Sequence, residues 1–323
     1  GNLLSREWTF RGFSLQSILL MNDIELSYVI TTRNKFPYLK GALERLIQNV
    51  QEDEEIIVAD GGSTDGTKEY LGQLYQAGKI HQFISEPDQN EAHGFNKCFL
   101  KARGELIKII SDDDVFYYPA IQECKKFMLE HPEYDLLGTD GVAVHWHHAQ
   151  PFKKTDFFKQ YLSWKDKKTP FAFCGLGLML RKNSLALTGL FNPFFRNTDG
   201  EFTLRTTSTR GINLAWYTGP LWAWILNKKS NTKLLRKRVE QEIDLYSKTY
   251  LALTSNKIKS FAKPGLIQSG KIWLWQLSRR VGLKKPFSQD SIPPIDIGYE
   301  RSYNWLKEEQ GKIFPMPKRQ DPG

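Results

Sequence analysis

The chain has 323 residues, of which 40% are hydrophobic, 13% aromatic and 25% charged; this is the make-up of one large or two ordinary globular domains and excludes disordered, collagen-like and low-complexity chains. Its three cysteines, Cys98, Cys124 and Cys174, are too far apart for a zinc-finger spacing and odd in number, so no structural metal or disulfide framework is expected and the compartment is expected to be reducing. The formal net charge of +9 is unevenly spread: residues 1–227 carry 25 basic and 27 acidic side chains and residues 228–323 carry 20 and 9, so the basicity, which suits phosphate-rich partners or a solvated helical face, belongs to the last third.

The first 23 residues show no strong period, and no basic region followed by an apolar core and a small-residue cleavage site, so they are expected to be an N-terminal arm without a secretory signal. From Ile24 a pattern sets in. ELSYVITTRN is a β-rich run with a polar end, and PYLKGALERLIQNV follows with Leu39, Leu43, Leu46, Ile47 and Val50 at helical spacing. EEIIVAD is a second short strand ending in an acid, GGSTDG supplies turn chemistry, and TKEYLGQLYQAG reads as a helix closed by Gly78. KIHQFIS gives a third strand, a helix spans roughly 91–102, and ELIKIIS gives a fourth that runs into Asp112-Asp113-Asp114. Strands alternating with helices predict a parallel sheet with right-handed crossovers, whose ligands bind beyond the C-terminal strand ends.

After Pro119 a helix to about Glu130 is expected, and then the pattern loosens. Residues 145–170 read as loop or short elements lining a site, FAFCGLGLMLRK as an apolar strand, GLFNPFFRNTDGEFTLRTTSTRG as a loop entering a helix, and INLAWYTGPLWAWIL as a last strand. The apolar run at 214–226 is interrupted by Gly219-Pro220 and no segment reaches 18 apolar residues, so no spanning helix is expected. Beyond Asn227, helices are expected at about 232–255 and 266–281, followed by a Pro-rich end in which SIPPIDIG and FPMPKRQDPG hold no helix. The expected divisions are 1–23, 24–227 (a nucleotide-binding half, 24–118, and an acceptor half, 119–227) and a basic helical extension, 228–323.

The acidic triplet at 112–114 is the sharpest chemical feature. Three adjacent carboxylates repel one another and lose solvation, so they persist where cations, water or hydrogen-bond donors offset their charge. Mg²⁺ or Mn²⁺ bound to a diphosphate is such an offset; the structural alternative is an exposed acidic turn or a helix N-terminus. Asp60 falls on the same sheet edge. A carboxylate at a strand end can accept a hydrogen bond from a nucleobase N–H, and Thr31, Thr32 and Arg33 can hold base or ribose, whereas Ser63 and Asp65 read as turn and cap residues.

Taken together, YVITTRN, IIVADGGSTDGT and ISEPDQNEAHGFNKCFLKARGELIKIISDDD resemble, in order and spacing, the inverting family 2 glycosyltransferases of the GT-A fold, over about residues 24–230. The resemblance implies an α/β, Rossmann-like nucleotide-diphospho-sugar transferase fold, with a mostly parallel sheet flanked by helices and a helical C-terminal extension. It implies base contacts from Thr31, Arg33 and Asp60, donor contacts from Asp88 and from the pair Asn96-Lys97, and an Asp-x-Asp motif at 111–114. The motif departs at Ser111, which shifts the ribose contact to Asp112 and leaves the metal, Mn²⁺ or Mg²⁺, with Asp113 or Asp114.

An inverting transfer needs a general base across the donor from the leaving diphosphate. The resemblance assigns it to Asp199, with Glu201 in reserve; their spacing of two keeps them off one helical face. A histidine that can complete the metal site after the last strand is replaced by Leu226-Asn227-Lys228-Lys229-Ser230, so Asn227 with water, or the two lysines, are expected to take its part. Trp222 and Trp224 share a strand face, as core or as a sugar-stacking surface. His145, Trp146, His147, His148 and Trp164 are acceptor-side by position only.

The expected donor is a UDP-sugar and the expected acceptor a hydroxyl of a glycan or lipid-linked chain, as in cell-surface polysaccharide synthesis. GLIQSGKIWLWQLSRRVGLKKP combines indoles with Arg279, Arg280, Lys284 and Lys285, a composition suited to peripheral contact with an anionic membrane from the cytoplasmic side. A dehydrogenase reading fails because TTRNKFPYL lacks a Gly-x-Gly-x-x-Gly turn. Nucleic-acid binding is not expected, since the acidic cluster would repel a phosphate backbone. A catalytically silent GT-A-like module that binds a nucleotide sugar or glycan is the alternative.

Overall fold

The structure, a computed structural model, describes residues 24–144, 153–225, 236–252 and 295–314. Its first half alternates β1 (Leu26–Thr32), α1 (Phe36–Asn49), β2 (Glu54–Asp60), α2 (Thr67–Gln76), β3 (Gln82–Ser85), α3 (Glu91–Lys101) and β4 (Leu106–Ile109). β1 pairs in parallel with both β2 and β4, and β2 with β3. Successive side chains of β1 go to opposite faces: Tyr28 and Ile30 pack with Leu39 and Leu43 of α1, and Val29 with Phe95 and Phe99 of α3. Both sheet faces are therefore apolar and covered, which is why these strands read as continuous apolar runs. With all four strands parallel, β1, β2 and β4 end on one edge, at Thr32, Asp60 and Ile109.

The second half comprises β5 (Val115–Phe116), α4 (Tyr118–Glu130), β6 (Leu136–Val144), β7 (Lys153–Lys154), α5 (Phe157–Lys167), β8 (Met179–Arg181), α6 (Leu185–Thr188), α7 (Thr198–Ser208) and β9 (Leu214–Ile225). α8 (Arg236–Ala252), α9 (Ile295–Glu308) and β10 (Ile313–Phe314) follow. The described strands form one sheet ordered β10-β9-β6-β8-β4-β1-β2-β3, with β5 joined to β9 and β7 to β6. β8 runs antiparallel to both of its neighbours.

Four elements differ from the sequence reading. LLGTDGVAV, not expected as a strand, is β6, and a Cβ on Gly138 or Gly141 would collide with the rings of Trp216 or Trp222, so the indoles of β9 fill the space that the glycines leave. FAFCGLGLMLRK yields only the three-residue β8, because Gly175–Gly177 turn as a 3₁₀ segment. Within 145–170, Phe157–Lys167 is a helix whose first N–H groups, Phe157 and Phe158, are capped at long range by Asp140 at 2.8 and 3.1 Å. SIPPIDIG contributes the start of α9, because its two prolines precede the first helical residue instead of interrupting the helix.

α9 packs Tyr299 and Leu306 against Val115, Val142 and Ala223, and β10 pairs with β9. Residues 295–314 thus share the sheet and core of residues 24–225. Among the described residues no helix is long and apolar enough to cross a membrane. The expected N-terminal arm, the 145–148 cluster, the 227–230 segment, the 266–281 helix with its basic and indole residues, and most of the Pro-rich end lie outside the described residues.

Candidate functional site

At the edge where β1 and β4 end, a cavity of about 690 Å³ opens. One wall carries Thr31, Thr32, Arg33 and Lys35 from the loop after β1, and Ser111, Asp112, Asp113 and Asp114 from the turn after β4. Another carries Cys174, Gly175 and the 196–199 segment at the start of α7, and Trp222 and Trp224 of β9 also line it. Asp88 and Glu91 contribute from the segment that opens α3.

The acidic turn is organised by short polar contacts. Asp112 accepts from the Thr32 hydroxyl at 2.8 Å and from Lys35 Nζ at 3.1 Å, and Asp113 accepts from the same Nζ at 2.9 Å. Burial opposes the lysine's charge, but the Asp112 and Asp113 carboxylates outweigh it and hold Lys35 above the ordinary lysine range. Burial raises the Asp112 carboxyl to about 6 even with Lys35 beside it. Asp114 faces differently: Oδ2 accepts from the Ser111 hydroxyl at 2.7 Å and Oδ1 from the Ile225 N–H at 2.8 Å. Burial, and then the Asp113 charge, push Asp114 well above the usual carboxylate range.

Asp113 and Asp114, the alternatives expected to hold the metal, are engaged differently. Asp112 and Asp113 share a cation, and Asp114 ties the turn to the end of β9. Among the described residues no group of three or more His, Cys, Asp or Glu side chains is arranged to hold a metal ion. Two carboxylates that jointly accept an ammonium nevertheless fit a hard divalent ion, which takes one or two carboxylates and completes its shell with phosphate oxygens and water.

Asp199 sits in the first turn of α7, with Oδ2 accepting from Gly175 N–H at 2.9 Å and Oδ1 from Gly200 N–H at 2.9 Å. Glu201, the reserve residue, is absent from the cavity. It is fully buried, bonded by Arg205 at 2.8 and 3.2 Å and by the Tyr250 hydroxyl at 2.6 Å, so its carboxylate holds the helix together instead of facing the cavity.

Three of the expected donor-contact residues lie behind the wall. Asp60 is buried and accepts from Ser63 N–H at 3.0 Å and from the Ser85 hydroxyl at 2.8 Å, closing the 61–63 turn. Asn96 donates to the Phe191 carbonyl at 2.8 Å and accepts from the Phe191 N–H at 2.9 Å, pinning the chain that leads to α7. Lys97 forms ion pairs with Asp88 and, at 3.0 Å, with Glu86, and so holds the cavity-lining Asp88 from behind. Trp164 is core: its indole N–H donates to the Thr207 carbonyl at 2.8 Å.

Residues 27–185 match the family model described as Glycosyl transferase family 2. They form a family 2 glycosyltransferase domain. An uncharacterized glycosyltransferase of Nostoc is 31% identical over 29% of this chain and 29% of its own length. One from Rickettsia conorii is 25% identical over 43% and 24%, and TuaG of Bacillus subtilis, named for teichuronic acid biosynthesis, is 24% identical over 37% and 50%. The chain therefore spans between a quarter and a half of these relatives. A solved structure of TarS residues 1–349 from S. aureus, in complex with UDP-GlcNAc, superposes with a TM-score of 0.55 at 14% identity over 88% of this chain and 90% of that one. At that identity the likeness concerns the fold, which is the expected GT-A arrangement.

The glycosyltransferase domain brings two further charged residues into the cavity that sequence reasoning did not single out. Lys35 carried a local signal, a cation in the loop after the first strand, but its partners lie 77 and 78 residues away. Glu91 lines the cavity from the first residue of α3; desolvation, and then the Asp199 charge, raise its carboxyl to about 7. No spacing rule links it to Asp199, 108 positions on.

Proposed function

We propose that the protein transfers a sugar from a nucleoside diphosphate sugar, a UDP-sugar in the first instance, to a hydroxyl of a glycan or lipid-linked acceptor, with inversion at the anomeric carbon and with Mn²⁺ or Mg²⁺. The family 2 domain supports the reaction class, and TarS with UDP-GlcNAc and the name of TuaG support the donor and a polysaccharide acceptor. The observation that carries the reading is a single cavity lined by the cation-binding pair Asp112–Asp113 and by a carboxylate, Asp199, at the start of a separate helix.

In this reading Thr31, Thr32 and Arg33 bind the nucleoside, Asp88 the donor sugar, and Asp112 and Asp113 hold the cation. That metal, when bound, neutralises charge on the departing diphosphate. Asp199, oriented by Gly175 N–H, takes the proton of the acceptor hydroxyl as its oxygen bonds to the anomeric carbon and the bond to the diphosphate breaks. The new glycosidic bond takes up one electron pair and the nucleoside diphosphate leaves with the other. Trp222 and Trp224 offer aromatic faces to the sugar.

The test is nucleoside diphosphate release from a panel of sugar nucleotides, with glycan acceptors and either ion. Release from one donor that falls roughly 10²–10⁴-fold in a folded Asp199→Asn variant is the expected result; no release and no thermal stabilisation by any donor would remove the proposal. Ser111 and the seating of Lys35 between the carboxylates favour a second reading, a silent sugar-nucleotide-binding module, for which donors would stabilise the fold without any release.

A further inference from the structure

The segment that delivers Asp199 has no sheet or helix to hold it. Residues 191–197 run as loop from α6 to α7, and their backbone polar groups need side-chain partners. On one side α3 and its approach supply them. Asn96 brackets Phe191, Asn90 donates to the Pro193 carbonyl at 2.6 Å, and the Gln89 carbonyl accepts from Arg196 at 3.2 Å. On the other side the partners come from α8, well beyond the family-matched residues.

The buried Glu242 of α8 turns one carboxylate oxygen to two consecutive backbone N–H groups, Arg196 at 2.6 Å and Asn197 at 3.0 Å, and its other oxygen accepts from Arg238 at 2.8 Å. One turn on, the Tyr246 hydroxyl donates to Asn197 Oδ1 at 2.6 Å. Asn197 precedes the first residue of α7, and Asp199 follows two positions later. A Cβ at Gly200 would strike both Asn197 Oδ1 and the Tyr246 hydroxyl, so the absent side chain leaves the notch in which the two meet. Another turn along, Tyr250 reaches Glu201 at 2.6 Å. Three residues spaced by four on α8 thus grip 196, 197 and 201, on either side of Asp199.

We propose that α8 is a positioning element for the transfer: Glu242 and Tyr246 fix the start of α7 so that the Asp199 carboxylate meets both Gly175 N–H and the acceptor hydroxyl. The inference rests on the transferase reading for its kinetic consequence and on the hydrogen bonds for its structural one. Neither residue lines the cavity, although Val239 of the same helix does. A displacement of about 1 Å at a reacting group can cost on the order of 10²-fold in rate; loss of one grip is therefore expected to lower kcat roughly 10- to 100-fold.

Tyr246→Phe and Glu242→Gln in the full chain test this with two readouts. One is the split between kcat and donor KM in the release assay; the other is amide hydrogen exchange across 196–201. Both variants are expected to lose kcat with donor KM within about twofold of wild type, and to exchange faster across 196–201 but not in β1–β4. A general loss of fold, by contrast, would weaken donor binding and accelerate exchange everywhere. Wild-type kcat in both variants, in an enzyme that transfers sugar, overturns the inference and leaves the transferase reading standing. Failure of the wild type to turn over any donor overturns that reading instead, and unchanged exchange at 196–201 then overturns the grip as well.

Discussion

Replacing Lys35 by methionine isolates the electrostatics of the acidic turn. The ammonium lies 3.1 Å from Asp112 and 2.9 Å from Asp113, with Lys35 25% exposed and the two carboxylates 7% and 11%. At about 3 Å and an effective dielectric of about 20, Coulomb's law gives about 5 kcal/mol for each pair. Desolvation of the ammonium cancels much of that, and relaxation of the turn toward water recovers more. The net expected loss is about 2 kcal/mol at neutral pH in the presence of a chelator, read from urea unfolding. Methionine keeps the stem and removes the charge, so packing changes little. A divalent ion can take the vacated place: at 100 times its dissociation constant, binding to the native state returns about 2.7 kcal/mol. Mn²⁺ should therefore stabilise the variant by more than it stabilises wild type, which must first release its own cation. A variant as stable as wild type in chelator, or one that gains nothing extra from Mn²⁺, would refute the reasoning.

Arg205→Met should cost about 3 kcal/mol in urea unfolding, because it takes the cation from the fully buried Glu201, leaving the Tyr250 hydroxyl, and removes donors from the Thr188 and Leu190 carbonyls; a loss below about 1 kcal/mol would contradict the pairing. Glu201→Gln should lower stability by a comparable step yet leave residual kcat far above that of Asp199→Asn, measured at a temperature where both remain folded. Glu91, raised to about 7 by desolvation and by Asp199, gains its negative charge as pH climbs through neutrality and then repels an anionic donor. Sugar-nucleotide affinity by calorimetry in the presence of a chelator should accordingly weaken from pH 6 to pH 8 in wild type, and Glu91→Gln should reduce that trend.

What could be read from residues alone follows the range of the interactions. Alternation of strand and helix from 24 to 130 is local, so β1–β4 and their helices were legible, as was the edge on which Asp60 and the triplet end. β6 was not, because Gly138, Asp140 and Gly141 break the apolar pattern: Trp216 and Trp222 of β9 fill the space over the glycines, and Asp140 accepts from Thr155, Phe157 and Phe158 as well as from Trp216. At the site, Thr31, Thr32, Arg33, Asp88, Asp112, Asp113, Asp114 and Asp199 all reach the cavity. Asp60, Asn96, Lys97 and Glu201 carry the right residue types but are consumed by contacts that only the fold creates. Lys35 and Glu91 escaped for the converse reason, since an ordinary charged residue becomes special only through distant neighbours.

β9 is bordered at Trp222 and Ala223 by β5 and at Trp216 and Tyr217 by β10, and α9 reaches back to α1 through Arg45 and Glu300, which are 255 positions apart. During synthesis on a ribosome, the Trp216–Tyr217 stretch of this edge therefore lacks its strand partner until the residues near 314 have emerged. Late capture of this kind slows folding and invites wrong partners in the interval. A nonsense change shortly after residue 225 would make that interval permanent, and the shortened product should accumulate in inclusion bodies even though, among the described residues, every one that lines the cavity apart from Val239 has been made.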